Sequence, residues 1–403
     1  MDSHETSNLR SAELIDVGDI PEWMLWEVLM RLPLKVLFQS KVVSKQWCCM
    51  ISDPSFARML YADRIWRFPL WILVSSFANK AMIDHFSNKK LAVLDGCNSI
   101  GANCLDLIVL RHGQEVGVDG WDFIVVAISN GLLLYGPRVE CPSRLLIYSY
   151  DICNPITGQR IILPPSQHCF EFVATGFVTQ VQDNVLQSFR VVRVDVHHMD
   201  SGFVRFDVYF SEIRKWKYFQ LHSLIYFYKW KNPVVFRQTL HWMITKHRLL
   251  AYDPYNNSVR FTRLPSDDPA SYEESKIDVD DALFDEHGGH LRYAEVKLDD
   301  RGWTNVSIWV LDDYDSARWC LQHRVGLEEP SDSSVPLSFH PFDSNIVYII
   351  NGKLGLYSYD FKSRELIIVD GSTRCYRHQL PYALSYFNFV IPPWPLFIHP
   401  SLF

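Results

Sequence analysis

Several signatures are missing from this 403-residue chain. Gly-x-Ser-x-Gly, Gly-x-Gly-x-x-Gly and Gly-x-x-x-x-Gly-Lys are all absent, so neither a strained nucleophile turn nor a phosphate-wrapping glycine loop is readable. The nine cysteines (Cys48, Cys49, Cys97, Cys104, Cys141, Cys153, Cys169, Cys320 and Cys375) are odd in number and form no Cys-x-x-Cys. That fits free thiols in a reducing compartment better than a disulfide framework. No apolar run approaches the ~18 residues that span a bilayer. The first twenty residues carry no apolar h-region, so neither a membrane partner nor a secretory leader is expected. The expected location is the cytoplasm and/or nucleus. Net charge is −7, from 39 Lys+Arg against 46 Asp+Glu. Lys41, Lys45, Arg58, Arg64 and Arg67 are spread over N-terminal helices and form no stripe, so no nucleic-acid partner is expected, because phosphate neutralisation supplies most of that affinity.

What is present is ordinary globular material, 48% apolar and 21% charged, with enough apolar residues for a sizeable core. Aromatics reach 14%, with 13 Trp, 19 Tyr and 25 Phe, which favours strands where flat rings pack on a pleated surface.

Residues 19–63 read as helical, after a flexible N-terminus over 1–18. Pro21 suits a first helical turn, where a missing N–H costs nothing. Leu25, Val28, Leu29 and Leu32 recur at i, i+3, i+4 and i+7, an apolar stripe. Pro33 ends that helix, and Val36 and Leu37 begin a second patch. Val43, Trp47, Met50 and Ile51 form a third stripe, Asp53-Pro54 is a helix-start signal, and Phe56, Met59 and Leu60 continue a fourth short helix. A unit of about 45 residues buries too little surface to be robust alone. Its stripes either pack on the rest of the chain or leave apolar surface for a partner; periodicity alone does not separate the two.

These residues carry a resemblance. Ile20-Pro21 through Val36-Leu37 is similar to the F-box opening, Leu-Pro-x-x-Leu-x-x-x-Ile-Leu-x-x-Leu-Pro-x-Lys-x-Leu. Val43-Ser44-Lys45-Gln46-Trp47 resembles its Val-Ser-Lys-x-Trp, and Ile51-Ser52-Asp53-Pro54-Ser55-Phe56 its Ile-x-Asp-Pro-x-Phe close. Ile20, Gln39 and Ser40 depart from the pattern. The resemblance implies binding to a Skp-type adaptor that bridges to a cullin scaffold. It implies that Pro21, Leu25, Val28, Leu29, Leu32, Pro33, Val36, Leu37, Val42, Val43 and Trp47 supply the adaptor surface and the packing behind it. Trp47 has a competing role in holding the helices together, because a Trp buries a large area.

From Phe68 onward short β-branched and aromatic runs alternate with turn residues, the pattern of a sandwich, barrel or propeller. Phe123–Ile128, Leu132–Tyr135 and Leu145–Tyr150 are three expected strands. A strand ending in an aromatic and Asp, then a polar turn and a second strand, recurs at Tyr150-Asp151, Tyr252-Asp253 and Tyr359-Asp360. Looser copies start at Tyr209-Phe210-Ser211-Glu212 and Leu311-Asp312-Asp313, with a faint one at Ile83-Asp84. The period of about 55 residues suits about six degenerate propeller blades, each with this unit as its outer hairpin. With one Gly pair (Gly288-Gly289) and one Trp-Asp (Trp121-Asp122), it is not a regular kelch or WD array.

Ser129-Asn130-Gly131-Leu132-Leu133-Leu134, Cys153-Asn154-Pro155-Ile156-Thr157-Gly158 with Leu163-Pro164-Pro165, His241-Trp242 before Ala251-Tyr252-Asp253-Pro254, and Ile308-Trp309-Val310-Leu311-Asp312-Asp313-Tyr314 resemble the F-box-associated domains of plant F-box proteins. This second resemblance covers most of 68–395, leaves 396–403 as a C-terminal tail, and implies a kelch-like target-binding role.

Metal and catalytic signals are thin. His287 and His290 with Asp285 and Glu286 are a candidate metal set, weighed against a solvated loop. His197-His198 reads as strand-edge surface, and Cys97 and Cys104 as structural thiols. Neither cofactor nor catalytic residue is expected. Ser266–Glu286 holds nine acidic residues and one Lys, a solvated insertion or an attractor for a basic target. Glu328–Ser334 reads as a second flexible insertion. Trp216, Trp230, Trp242, Trp303 and Trp319 are candidate hot spots on the target side, with blade core as the competing role for each. The expected fold is an α+β multidomain chain, an all-α F-box followed by an all-β propeller. The expected function is substrate recognition for an SCF-type cullin-RING ubiquitin ligase, delivering a target protein for ubiquitination and degradation. The alternatives are a ligand-binding or enzymatic propeller tethered by an F-box, and a non-ligase interaction scaffold.

Overall fold

The computed structural model describes residues 21–32, 36–37, 40–53, 56, 59, 71–76, 123–137, 150–154, 159–168, 170, 173–182, 185–195, 203–222, 233–245, 248–265, 282–298, 303–330, 334–340, 343–351, 355–370, 385–390, 396–398 and 402. The chain divides into two compact units, Met1–Arg67 and Phe68–Phe403.

The first unit contains α1 (Glu22–Arg31), a short 3-10 turn (Ser40–Val42) and α2 (Lys45–Ser52). The Pro21 carbonyl accepts from the Met24 and Leu25 amides at 2.9 and 3.2 Å, so the proline sits just ahead of α1 as its N-cap residue. Ser44 caps α2, its Oγ accepting from the Trp47 amide at 3.1 Å, which satisfies one orphan donor of the first turn. Phe56 and Met59 beyond Asp53 are helical again, as the helix-start signal at Asp53-Pro54 expects, and Asp53 itself also ends α2, with extended backbone and its amide donating to the Met50 carbonyl. The proline that follows explains this, since it disfavours helical geometry in the residue before it.

The second unit is built of four-stranded antiparallel blades. Blade I holds β2 (Phe123–Ser129), β3 (Leu132–Pro137), β4 (Asp151–Cys153) and β5 (Arg160–Ile162). Blade II holds β6 (Val173–Gln182), β7 (Val185–Asp195), β8 (Phe203–Phe210) and β9 (Lys215–His222). Blade III holds β10 (Val234–Phe236), β11 (Thr239–Thr245), β12 (Arg248–Asp253) and β13 (Ser258–Arg263). Blade IV holds β14 (Ala282–His287), β15 (His290–Leu298), β16 (Trp303–Asp313) and β17 (Arg318–Pro330). Blade V holds β18 (Val335–Phe339), β19 (Ile346–Asn351), β20 (Gly355–Asp360) and β21 (Glu365–Asp370). Beside them β1 (Trp71–Ser76) pairs antiparallel with β22 (Ser385–Val390). Thus five full blades are described where about six were expected.

Neighbouring sheets touch in sequence: β2 meets β6, β6 meets β11, β10 meets β14, β14 and β15 meet β18, and β18 meets β22. Strands β1 and β22 both meet β2, so the cycle of contacts closes. The core lies in the seams. One cluster joins blades I and II through Leu134, Ile152, Phe177 and Phe189, and another joins II and III through Val192, Phe206, Trp242 and Tyr252. Gly176 is needed where blades II and III approach: a Cβ there would lie 2.6 Å from Leu240 Cδ1. The seam between III and IV is filled by Met243, Leu249, Phe284 and Tyr293, and that between IV and V by Val306, Ile308, Phe339 and Tyr357.

All five aromatic-and-Asp units that fall on described residues are the outer hairpins, β4–β5, β8–β9, β12–β13, β16–β17 and β20–β21. Ile83-Asp84 and most of 145–150 lie outside the described residues. The turn chemistry is local. Asp253, Asp313 and Asp360 each accept two backbone amides two and three residues on through Oδ1, which folds the chain back without help from the core. Glu328, Glu329 and Pro330, read as an insertion, instead continue β17, with Pro330 opposite Trp303. The segment set apart as a C-terminal tail carries β23 (Phe397–Ile398), which pairs in parallel with the start of β7. Leu396, Ile398 and Leu402 are buried in the seam between blades I and II, and Asn154 Nδ2 donates to the Leu396 carbonyl at 2.7 Å.

Candidate functional site

On the helical unit the apolar stripe divides into two faces. Leu25 and Leu29 of α1 are buried, with Leu37, Met50, Ile51 and Phe56, and Trp26 meets Phe56 edge-on at 5.2 Å. The other face is open: Val28 is 52% exposed, Val36 42%, Val42 90% and Val43 58%. Pro21 is also exposed, and Leu32 and Trp47 are half-buried. The Trp47 indole Nε1 is enclosed with no hydrogen-bond partner among the described residues. Pro33 lies outside the described residues. Two exposed apolar side chains of α1, Trp23 and Met24, were not among the expected adaptor residues, and Met59, expected as part of a fourth helix, is exposed as well. Trp23 and Met24 lie one turn before Val28 on the solvent side of α1, and a period-3.6 count does not say which edge of a broad stripe faces water.

On the β unit the candidate tryptophans have structural work. Trp242 is fully buried. Trp216 of β9 donates its indole N–H to the Pro164 carbonyl at 2.7 Å, and Trp319 of β17 donates to the Arg263 carbonyl at 3.0 Å. Each ties its blade to the end of the preceding one. Trp303 belongs to β16, with its side chain outside the described residues, as is all of Trp230.

Charged groups are also buried in or beside the seams. Arg193 and Asp207, opposite each other on β7 and β8 and both fully buried, pair at 3.0 Å, and Ser166 donates to the same carboxylate. Arg190 is clamped between the rings of Phe210 and Tyr255, each 4.4 Å from its guanidinium, and donates to Glu212. Burial opposes ionisation of Glu212, yet the Arg190 hydrogen bond and charge hold its carboxyl below the ordinary range. His241 Nδ1 lies 3.1 Å from the Thr239 carbonyl, which can only accept, so Nε2 accepts from the Tyr314 hydroxyl at 2.8 Å. Burial pushes the His241 imidazole down to about 4, with Arg260 adding to the effect.

His287 and His290 flank the Gly288-Gly289 turn between β14 and β15, where both glycines have positive φ. Among the described residues no three His, Cys, Asp or Glu side chains come together to hold a metal ion. Most of the acidic stretch, together with His197-His198, Cys97 and Cys104, lies outside the described residues.

Comparison with known proteins adds a family. Residues 82–386 match the family model described as F-box protein At3g26010-like, beta-propeller. From Arabidopsis thaliana, the putative F-box/kelch-repeat protein At1g15680 is 24% identical over 385 residues, covering 90% of this chain and 86% of that protein. The putative F-box/kelch-repeat protein At4g22430 is 24% identical over 343 residues, covering 83% and 76%. The F-box protein At3g26010 is 26% identical over 351 residues, covering 81% and 73%.

Proposed function

Since the chain belongs to the At3g26010-like F-box-protein β-propeller family, we propose that it is the substrate receptor of an SCF-type cullin-RING ubiquitin ligase, its helical unit acting as the F-box. The observation that carries this reading is the open face of that unit, where Trp23, Met24, Val28, Val36, Val42 and Val43 present apolar surface to solvent. Burying such a side chain contributes about 1.5–3 kcal/mol, so a handful suffices to hold a Skp-type adaptor. Leu25, Leu29 and Leu37 serve behind that face as the packing that holds it flat.

The second unit is the target-binding part, read as six blades with β1 and β22 supplying the closing one. The chain performs no bond-making step. It raises the local concentration of a bound target beside the ubiquitin-loaded enzyme, a proximity effect, in the cytoplasm or nucleus. The test is co-purification of the full chain with the Skp-type adaptor, wild type beside Val28→Glu/Val42→Glu. Stoichiometric capture by the wild type and loss in the variant supports the reading; a folded wild type that ignores the adaptor overturns it.

A further inference from the structure

Three blades begin with a two-residue hairpin turn whose φ angles are known and positive. In blade I the turn is Asn130-Gly131 (φ 46° and 73°), and in blade IV it is Gly288-Gly289 (60° and 80°). Those are residues that tolerate the left-handed region. In blade III the same place, between β10 and β11, is held by Arg237-Gln238 (48° and 64°). Neither side chain suits this geometry, which the mirror-type hairpin turn demands of both central residues. Strain of this kind persists where the side chain it displays is wanted for something else.

What the turn displays is a cation. Arg237 is exposed and stacks over Phe236 at 5.1 Å and over Tyr314 at 5.6 Å. These two ring contacts are the only side-chain contacts of Arg237 among the described residues. Tyr314 is fixed from below by its hydroxyl on His241 and carries a second cation, Arg260, 5.1 Å from its ring. Arg260 is already occupied, by the Asp315 carbonyl at 2.5 Å and its carboxylate at 3.8 Å. The two guanidiniums therefore differ: Arg260 is engaged by Asp315 and buttresses the ring, and Arg237 is held by two rings with no partner for its N–H groups among the described residues. Stacking fixes the plane of a guanidinium without using its donors. A pre-organised planar fork of this sort matches a carboxylate.

The geometry points to this surface at the seam of blades III and IV, Arg237 with Gln238, Tyr314 and Arg260, as a docking site for an acidic segment of a partner protein, with Arg237 its carboxylate-binding residue. Arg and Tyr are the residue types that dominate binding hot spots. A nucleic-acid backbone is the poorer fit, because Arg237 and Arg260 form a single spot and offer no stripe along which successive phosphates would be neutralised. The inference rests on the reading of the β unit as target binder and is independent of adaptor docking.

The experiment uses the full chain without adaptor and a fluorescein-labelled deca-glutamate peptide in fluorescence anisotropy, with deca-lysine and a single-stranded oligonucleotide as controls. Binding of deca-glutamate in preference to both controls is expected, weakened at least tenfold in Arg237→Ala and in Arg237→Asn/Gln238→Gly. The second variant installs the relaxed Asn-Gly turn, so its melting temperature is expected to equal or exceed that of the wild type, which separates lost contact from lost fold. Equal affinity in wild type and the Asn-Gly variant, preference for the oligonucleotide, or no binding of deca-glutamate by the wild type would each overturn the proposal. None of these outcomes bears on adaptor capture, so the two readings fail separately.

Discussion

Trp216 donates its indole N–H to the carbonyl of Pro164, a residue that follows the last strand of the preceding blade. Trp319 repeats the arrangement with Arg263 at the seam of blades III and IV. In both cases an aromatic body packs in the seam while its single polar atom joins one blade to the next. Replacing Trp216 with Phe removes the bond and leaves the carbonyl to find water. The expected loss is about 1 kcal/mol, measured by urea unfolding, with Trp319→Phe giving a loss of the same size. No change in either variant would mean that the indole contacts carry no weight in the seam.

His241 makes stability pH-dependent. Its folded value of about 4 lies below its ordinary 6.5 because burial disfavours the imidazolium. Above 6.5 the group is neutral in folded and unfolded chains alike. As pH falls from 6.5 towards 4 only the unfolded chain gains the proton, so stability is lost across that window. At pH 5 the loss from this residue is about 2 kcal/mol, at 1.36 kcal/mol per pKa unit. Chemical denaturation at pH 7 and pH 5 is expected to show a smaller drop for His241→Gln than for the wild type; equal drops would remove His241 from the account.

Gly176→Ala tests the tightest seam. The added Cβ meets Leu240 at 2.6 and 2.8 Å and Trp242 at 3.0 Å, and both neighbours are fully buried. Overpacking of this kind costs about 1–3 kcal/mol, so a lower melting temperature is expected with unchanged adaptor binding. A melting temperature at or above that of the wild type would show that the seam has slack.

Ala317 predicts a gain. It sits at φ +55° in the β16–β17 turn, where the equivalent turns place Arg214, Asn257 and Arg364, also with positive φ. An L side chain pays about 1–2 kcal/mol there, part of which glycine returns in unfolded-chain entropy. Ala317→Gly is therefore expected to stabilise by a few tenths to about 1 kcal/mol by thermal melting. Destabilisation would mean that the alanine methyl group makes a compensating contact.

The outer hairpins were legible in the sequence because their signal is local. An Asp that folds its own following amides into a turn needs no distant partner, and Asp253, Asp313 and Asp360 all do this. The helices were legible as stripes, but their division into a packed and an open face was not, since Leu25 and Val28 satisfy the same period. The Arg193–Asp207 pair was invisible because it depends on cross-strand register between β7 and β8. The Arg237-Gln238 turn was missed for a different reason. It carries none of the Gly or Asn chemistry by which such a turn is recognised, and the strain that makes it informative is what hides it.

The pairing of β1 with β22 has a consequence for how this chain is made. These strands come from opposite ends of the β unit, so Trp71 finds Val390 only after nearly everything between them has been synthesised. Blades I to V consist of sequence-local hairpins that form as they emerge. The β1–β22 contact is the most non-local strand pairing among the described residues, so its closure carries the largest loop entropy. A chain that ends before Ser385 lacks β22 and leaves uncovered the flank of blade I that β22 contacts through β2.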